Sequence, residues 1–265
     1  MGYCTDHAIS YFHYLGYHVV RYPSNDIRPL ALIGQCPGDG PAMLGPLDIL
    51  MTNSSRALPV ITADVAAVDV NGQASSKVEM GIGANILGTL IQALGGHLRT
   101  AWNCVNAEKV QFIFSDVLGD SVLPVEVDNY LRGGRVESLN PVLQQYILGN
   151  GNLYLITKTV KSRKVTVRFE RNDGTGVTVN IPMIQEMVGG DLVVTAHAKQ
   201  PWVVTFQGKT NLSFGFQCFP VAIDDGVLAL TADKGGGIHL AVGQPRGIGK
   251  PVLLGDTGLL ELSRR

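Results

Sequence analysis

Between Lys164 and Glu170 the chain alternates strictly, with Val165, Val167 and Phe169 on one face of a strand and Lys164, Thr166, Arg168 and Glu170 on the other. Val177, Val179 and Ile181 repeat the alternation after the turn Asn172-Asp173-Gly174-Thr175-Gly176. The segments Leu153–Lys161, Lys164–Arg171, Val177–Ile181, Leu192–Ala198, Trp202–Gln207 and Leu212–Val221 are all predicted strands. One short helix fits between Pro182 and Val188, ended by Gly189-Gly190. The N-terminal pattern is different. Ile9, Tyr11, Phe12 and Leu15 recur at helical spacing, with Thr5 or Asp6 as cap and Gly16 as stop. Tyr17–Tyr22 is a predicted strand stopping at Pro23, and a loop follows, broken most clearly at Cys36-Pro37-Gly38-Asp39-Gly40-Pro41. Leu58–Val70 is strand-like, Asn71-Gly72 signals a hairpin, and Lys77–Ile82 returns. Val110–Phe114 predicts a short buried strand, Val122–Tyr130 a strand or loop, and Pro141–Leu148 a helix. The sum is an α+β fold, a mostly antiparallel central sheet with peripheral helices.

Met80–Leu98 is the longest stretch without a formal charge. It is long enough to span a bilayer but carries Asn85, Thr89, Gln92, His97 and five glycines, and its Ile86, Leu87, Leu90, Ile91 and Leu94 form one apolar stripe. The expectation is a buried or amphipathic helix rather than a span, in a chain that is soluble as made, since no secretory signal opens it. Composition sharpens this. The 265 residues are 45% hydrophobic, only 16% charged, hold 32 glycines and have a mean hydropathy of +0.17. That is enough apolar material for a core, which excludes whole-chain disorder. The net charge of -1 gives no global basic field for a nucleic acid.

Candidate chemistry is sparse. Cys4, Cys36, Cys104 and Cys218 show neither C-x-x-C nor zinc-ligand spacing, and the six histidines are scattered. The last three cysteines sit in apolar company, whereas Cys4 lies near the start of the chain, where a thiol is available. No G-x-S-x-G is present, and Gly247-Ile248-Gly249-Lys250 fails as a phosphate loop because Gln244 and Pro251 occupy required positions. Asp224-Asp225-Gly226 is a turn signal rather than a ligand set. No catalytic residue, metal or cofactor is assigned. A Cys/His hydrolase assembled in space stays as an alternative, as does a lipid- or acyl-binding β-rich module.

Charge is segregated. Lys158, Lys161, Arg163, Lys164, Arg168 and Arg171 fall within fourteen residues, opposed along the chain only by Glu170, which leaves the remainder at about -6. These cations are either a solvated face guarding a sheet edge or a contact for anionic lipid headgroups, at about 1 kcal/mol per residue near the surface. Strands of this length, apolar on one face, suit a membrane β-barrel, and only a closed ring satisfies the backbone in lipid. Near the C-terminus, Gly235-Gly236-Gly237 and the basic run to Lys250 favour proteolytic nicking. Beyond them Val252-Leu253-Leu254 and Leu259-Leu260-Glu261-Leu262 are apolar enough to dock, as an ordinary terminal strand or as a detachable plug.

Met1-Gly2-Tyr3-Cys4, Tyr14-Leu15-Gly16-Tyr17, Val19-Val20-Arg21-Tyr22-Pro23 and Asp26-Ile27-Arg28-Pro29-Leu30, with the chain length and a short C-terminal tail, resemble the bacterial gasdermins. The resemblance implies a twisted sheet that becomes a β-barrel ring, and an autoinhibited pore former of the inner membrane that kills phage-infected cells. It implies a palmitoyl group on Cys4 and no other cofactor. It also implies a pore-forming unit at 1–237 and an inhibitory segment at 238–265. The activating protease cuts between Asp233 and Lys250: after Asp233 if caspase-like, or at Lys234, Arg246 or Lys250 if trypsin-like. The expected partners are that protease, inner-membrane lipids and further copies of the chain, with no nucleic acid. The protein is expected in the cytoplasm until cut. The membrane-crossing hairpins are expected nearest Leu58–Ile82 and Leu153–Ala198.

Overall fold

A computed structural model describes residues 7–52, 55–66, 68–69, 74–75, 77–80, 109–136, 140–148, 150–170, 175–176, 192–224, 227–231, 251–254 and 259–264. Its spine is a pair of long antiparallel strands, Asn152–Glu170 and Gln200–Asp224, paired from Leu153 opposite Val221 to Arg168 opposite Val203 with register shifts at Ile156/Lys158, Val160/Lys161 and Ser162/Lys164. The sequence predicts two strands on each side of this pair, and the structure joins them. The apparent breaks fall opposite one another: Ser162 pairs with Leu212 and Lys164 with Gln207, so Arg163 alone faces Gly208 to Asn211. This bulge kinks the spine without ending it. Ser162 stitches the kink, its Oγ accepting the Lys164 N–H at 3.0 Å and donating to the Ser115 carbonyl.

Around the first half of the spine the strand order is Leu259–Leu260, His18–Ser24, Gln200–Asp224, Asn152–Glu170, Ala31–Gln35, Ala42–Pro46, Ser263–Arg264. Two expectations are corrected here. The strand does not stop at Pro23 but runs to Ser24, because its ladder is irregular between Val19 and Ser24 and needs no donor from the proline. The expected loop is a hairpin, Ala31–Gln35 against Ala42–Pro46, with Cys36–Pro41 as its turn and Ala31, Leu32 and Ile33 buried. A third correction concerns Val122–Tyr130, most of which is helical. Pro124 opens a helix through Leu131 that buries Val127, Tyr130 and Leu131 along one side.

The helices predicted at the N-terminus and after Pro141 are present, at His7–Tyr14 and Pro141–Ile147. The first ends on Gly16 at φ +78, a backbone that glycine adopts without strain. Val68 and Asp69 pair with Ser75 and Ala74, flanking the predicted Asn71-Gly72 turn. That turn, 81–98 of the predicted Met80–Leu98 helix, the Val177–Ile181 strand and the Pro182–Val188 helix lie outside the described residues. No helix among the described residues is long and apolar enough to cross a membrane.

Both faces of this half are packed. Leu153 and Leu155 join Leu30, Leu32, Leu131, Leu143 and Tyr146 in a cluster under the two later helices. Ile156 points to the other face, with Val20, Ile33, Phe216, Cys218, Val252 and Leu254.

The C-terminal tail fixes the curvature. Leu259 and Leu260 run parallel to Val19 and Val20 on one outer edge of the sheet, and Ser263 and Arg264 run parallel to Ala42 and Met43 on the other. Six inter-strand steps separate those two tracks, about 29 Å in a flat sheet at ~4.8 Å each. Three residues from Leu260 to Ser263 reach at most about 11 Å. The sheet is therefore curled until its two edges are close, and the tail straps them together.

Candidate functional site

Beyond the Ser162 kink the spine enters a second, five-stranded antiparallel block. Its order is Lys77–Met80, Lys109–Ser115, residues 164–170, residues 200–207, Val193–His197. The register places Val78, Phe114, Val165, Phe206 and Val194 in one cross-strand row, and Met80, Phe112, Val167, Val204 and Ala196 in the next row of the same face. Phe112, Phe114, Val165, Val167, Val204 and Phe206 are all buried. Rows of the opposite face are mixed: Lys77, Ser115, Lys164, Gln207 and Val193 in one, Glu79, Ile113, Thr166, Thr205 and Thr195 in another, with Ser115, Thr166 and Thr205 buried. There Thr166 Oγ1 and Thr205 Oγ1 lie 2.8 Å apart, and His197 Nε2 reaches Thr205 at 3.3 Å. Period-2 patterning so aligns that the three central strands bury one continuous apolar face.

The basic residues do not form one free stripe. Lys158 and Arg163 are exposed and Arg168 is half-buried, and the register shifts at Ile156/Lys158 and Val160/Lys161 interrupt the simple alternation before Lys161. Lys161 Nζ is bound between Asp120 at 2.7 Å and Asp64 at 2.9 Å, with 14% of its side chain exposed. Lys164 meets Asp116 at 3.4 Å. Asp64 and Asp116 both sit at positive φ, 57 and 52, a conformation that aspartate tolerates in turns. These acids come from elements far away along the chain, so the sequence run opposed only by Glu170 is opposed in space by three more. The Lys161 pair also pins Thr62–Ala66, a strand exposed at every position and paired to the sheet through Leu118–Ser121. Arg171 lies outside the described residues.

Besides its two strand pairings the tail is held by side-chain and backbone contacts along its length, among them Gln35 Nε2 donating to the Leu254 carbonyl at 3.5 Å. Val252 N–H donates to the Cys218 carbonyl at 3.0 Å. His18 Nε2 lies 3.0 Å from Val252 O and 3.3 Å from Leu254 N, so either tautomer engages the tail backbone. Arg21 pairs with Glu261 at 2.9 Å, and Ser263 N–H donates to the Pro41 carbonyl at 3.1 Å. The alternation of Leu260 and Leu262 around Glu261 is the sequence signal for this, since both leucines pack on the core cluster.

A cysteine and a histidine do come together, at 3.7 Å between Cys218 Sγ and His18 Nε2. Burial drives Cys218 well above the ordinary thiol range and His18 down to about 4, the latter against its contact with Val252 O and helped by His13. Both shifts favour the neutral forms, thiol and imidazole, and Cys218 is fully buried. A nucleophile needs the thiolate. The pair is packing, with the tail as its third member. Cys36 is half-buried, its Sγ 3.6 Å from Gln145 Oε1. Cys4, Cys104, Asp233, Lys234, Arg246 and Lys250 lie outside the described residues.

Residues 20–235 match the family model described as the Bacterial Gasdermin Family. A gasdermin of a Vitiosangium species is 40% identical over 264 residues, covering 99% of each chain. A gasdermin of a Desulfuromonadales bacterium is 30% identical over 266 residues, covering 98% of each. Among solved structures, a bacterial gasdermin from Bradyrhizobium tropiciagri matches in fold with a TM-score of 0.61 at 15% identity, over 98% of this chain and 97% of that one.

Proposed function

The chain belongs to the bacterial gasdermin family, and on that premise we propose that it is an autoinhibited protein that forms large β-barrel pores from many copies of itself. The observation that carries this reading is the five-stranded block. An antiparallel sheet with one apolar face and an opposite face richer in hydroxyl and charged residues has the patterning of a barrel wall, the first towards lipid and the second towards the lumen. Its edges go unsatisfied in lipid unless copies close a ring. On this reading the crossing strands are those around Lys77–Met80, Lys109–Ser115, residues 164–170, residues 200–207 and Val193–His197. Lys158, Arg163 and Arg168 then face anionic headgroups of the inner membrane, and Lys161 does so once freed from its carboxylates.

The strap supports the second part of the reading, in which residues 1–237 form the pore and 238–265 hold it inactive. A protease, caspase-like at Asp233 or trypsin-like at Lys234, Arg246 or Lys250, cuts the connection. The segment then loses the effective concentration that tethering supplies and leaves. A palmitoyl group on Cys4 adds one acyl chain, which alone gives only marginal, reversible anchoring and so coexists with a cytoplasmic resting state. Release at the inner membrane ends in death of the infected cell.

The test is dye release from anionic liposomes by the intact and the protease-nicked chain. Nicking is expected to convert a silent protein into a leaking one, and truncation after Gly237 is expected to make it toxic to growing cells without nicking. Normal growth of cells that express the folded truncation overturns autoinhibition. Cys4→Ala is expected to weaken killing by the truncated form, and intact mass spectrometry of the parent chain reads the acyl group directly. Undiminished killing by a well-expressed mutant removes the lipid from the mechanism.

A further inference from the structure

We infer that the tail occupies, within one molecule, the place of a second copy of this chain, and that the two sheet edges it covers are the surfaces through which released copies join. The inference rests on the pore-forming reading and names a contact between the copies.

The argument starts from polarity. Along His18–Ser24, Gln200–Asp224, Asn152–Glu170, Ala31–Gln35 and Ala42–Pro46 every neighbouring pair is antiparallel. Four antiparallel steps leave the first and the last of these strands pointing the same way. The tail runs parallel to both, through Leu259 and Leu260 beside Val19 and Val20, and through Ser263 and Arg264 beside Ala42 and Met43. A strand parallel to both edges matches either one in direction. So the edge at Ala42–Met43 of another copy can lie against Val19–Val20 with the polarity that Leu259–Leu260 has now.

Edge chemistry points the same way. Natural sheets protect open edges with charge, proline or bulges on the edge itself. Val19, Val20, Ala42 and Met43 are themselves neither charged nor proline. The charge, prolines and ladder irregularities of these edges (Arg21, Pro23, Pro41, and the shifts after Val19 and at Leu44) lie beside the positions the tail covers rather than on them. Their protection is the tail, whose Leu260 and Leu262 also cover the core beneath. Loss of the tail leaves two unpaired apolar edges on each molecule, different in sequence and equal in direction. Neither edge pairs with its own copy in the parallel sense that the tail has now, so each edge of one molecule calls for the other edge of a second. A heterologous head-to-tail contact satisfies both, and repetition of that contact gives a ring or a filament.

The test uses the full chain with a site-specific protease site inserted at Gly236 and two added cysteines, Arg21→Cys and Met43→Cys, one beside each edge. Oxidation after cutting, on anionic liposomes, is expected to give a ladder of covalent oligomers that appears only when both cysteines are present and only after the cut. Each single-cysteine variant supplies the background from native thiols. A disulfide between the two introduced cysteines of one molecule, formed without a ladder, means the curled sheet seals itself and overturns the inference. Liposome leakage without any cross-link also overturns it while leaving pore formation intact. Absence of both leakage and cross-link removes the pore-forming reading and this inference together.

Discussion

The two halves of the spine are made from the same two strands and are built oppositely. Before the Ser162 kink both faces of the sheet are packed, one under the helices at Pro124–Leu131 and Pro141–Ile147, the other under the tail. After it the strands alternate, one face apolar and buried, the other richer in polar groups, with a buried hydroxyl pair and a lysine–carboxylate contact beside Ile113, Val193 and Val203. A sheet buried on both faces has a single stable environment. A sheet with one apolar and one polar face suits water on one side and any apolar cover on the other, whether protein or lipid. The difference teaches that the molecule separates a fixed half from a half written for two surroundings, and places a serine-stitched bulge between them.

The largest way to break that contrast is a cavity in the fixed half. Ile156 has no exposed surface and lies in the cluster that includes Val252 and Leu254 of the tail. Ile156→Ala is expected to cost about 2–5 kcal/mol, the usual loss for a fully buried aliphatic side chain. Urea unfolding reads the loss, and hydrogen exchange is expected to show faster exchange at residues 252–254 and 259–264 before any change in residues 164–170. Equal loss of protection on both sides of the kink would show that the two halves do not act separately.

Next in size is the titration of His18. Burial holds it at about 4, below its ordinary 6.5. A depressed histidine binds its proton more weakly when folded than when unfolded, so its contribution is complete above pH 6.5 and is lost as pH falls towards 4. The gap corresponds to about 3 kcal/mol. Protonation also removes the acceptor facing Leu254 N–H. Acidification from about pH 7 to about pH 4.5 is therefore expected to loosen the tail, read as faster exchange at residues 252–254. His18→Asn is expected to flatten that pH response.

Lys161 sharpens the contrast from the other half. Lys161→Met leaves Asp120, 13% exposed, without its cation at 2.7 Å. Asp120 Oδ1 keeps the Asp64 N–H at 2.8 Å, and loss of the charged partner at Oδ2 costs about 1–3 kcal/mol. The loss is expected locally, as faster exchange at Thr62–Ala66, with protection of the tail unchanged.

What was legible in the sequence follows the range of the interaction. The Ile9–Leu15 stripe with its Gly16 stop, the Val110–Phe114 strand and the docking of Leu259–Leu262 are local patterns, and each is present. Ala31–Gln35 and Ala42–Pro46 are hidden in sequence because the break at Cys36–Pro41 dominates the segment, while the first of them pairs with Tyr154 and Leu155, far along the chain. Gly34 is required there, since a Cβ would fall 2.4 Å from the Tyr146 ring. The helix at Pro124 was hidden by valines of strand propensity, which the surrounding core overrides. The bulge opposite Gly208–Asn211 looked like two loops because local sequence cannot say that two breaks face each other. At the candidate site, the acids that bind Lys161 and the meeting of His18 with Cys218 and Val252 are tertiary facts that no spacing encodes.

The smallest expected effect separates the strap's strength from its decoration. Arg21 and Glu261 form the tail's visible ion pair at 2.9 Å, but their side chains are 37% and 57% exposed. Exposed pairs contribute at most about 1 kcal/mol and are screened by salt. If the tail is held mainly by backbone pairing on two edges and by burial of Val252, Leu254, Leu260 and Leu262, Arg21→Ala is expected to change unfolding free energy by less than about 1 kcal/mol. The change is expected to vanish at high salt, with the threshold for protease-triggered liposome leakage unmoved. A mutant that leaks without cleavage at low salt, and is silenced by added salt-independent contacts such as Arg21→Met, would instead make the ion pair the latch, and the fixed half would owe its closure to charge rather than to the strap.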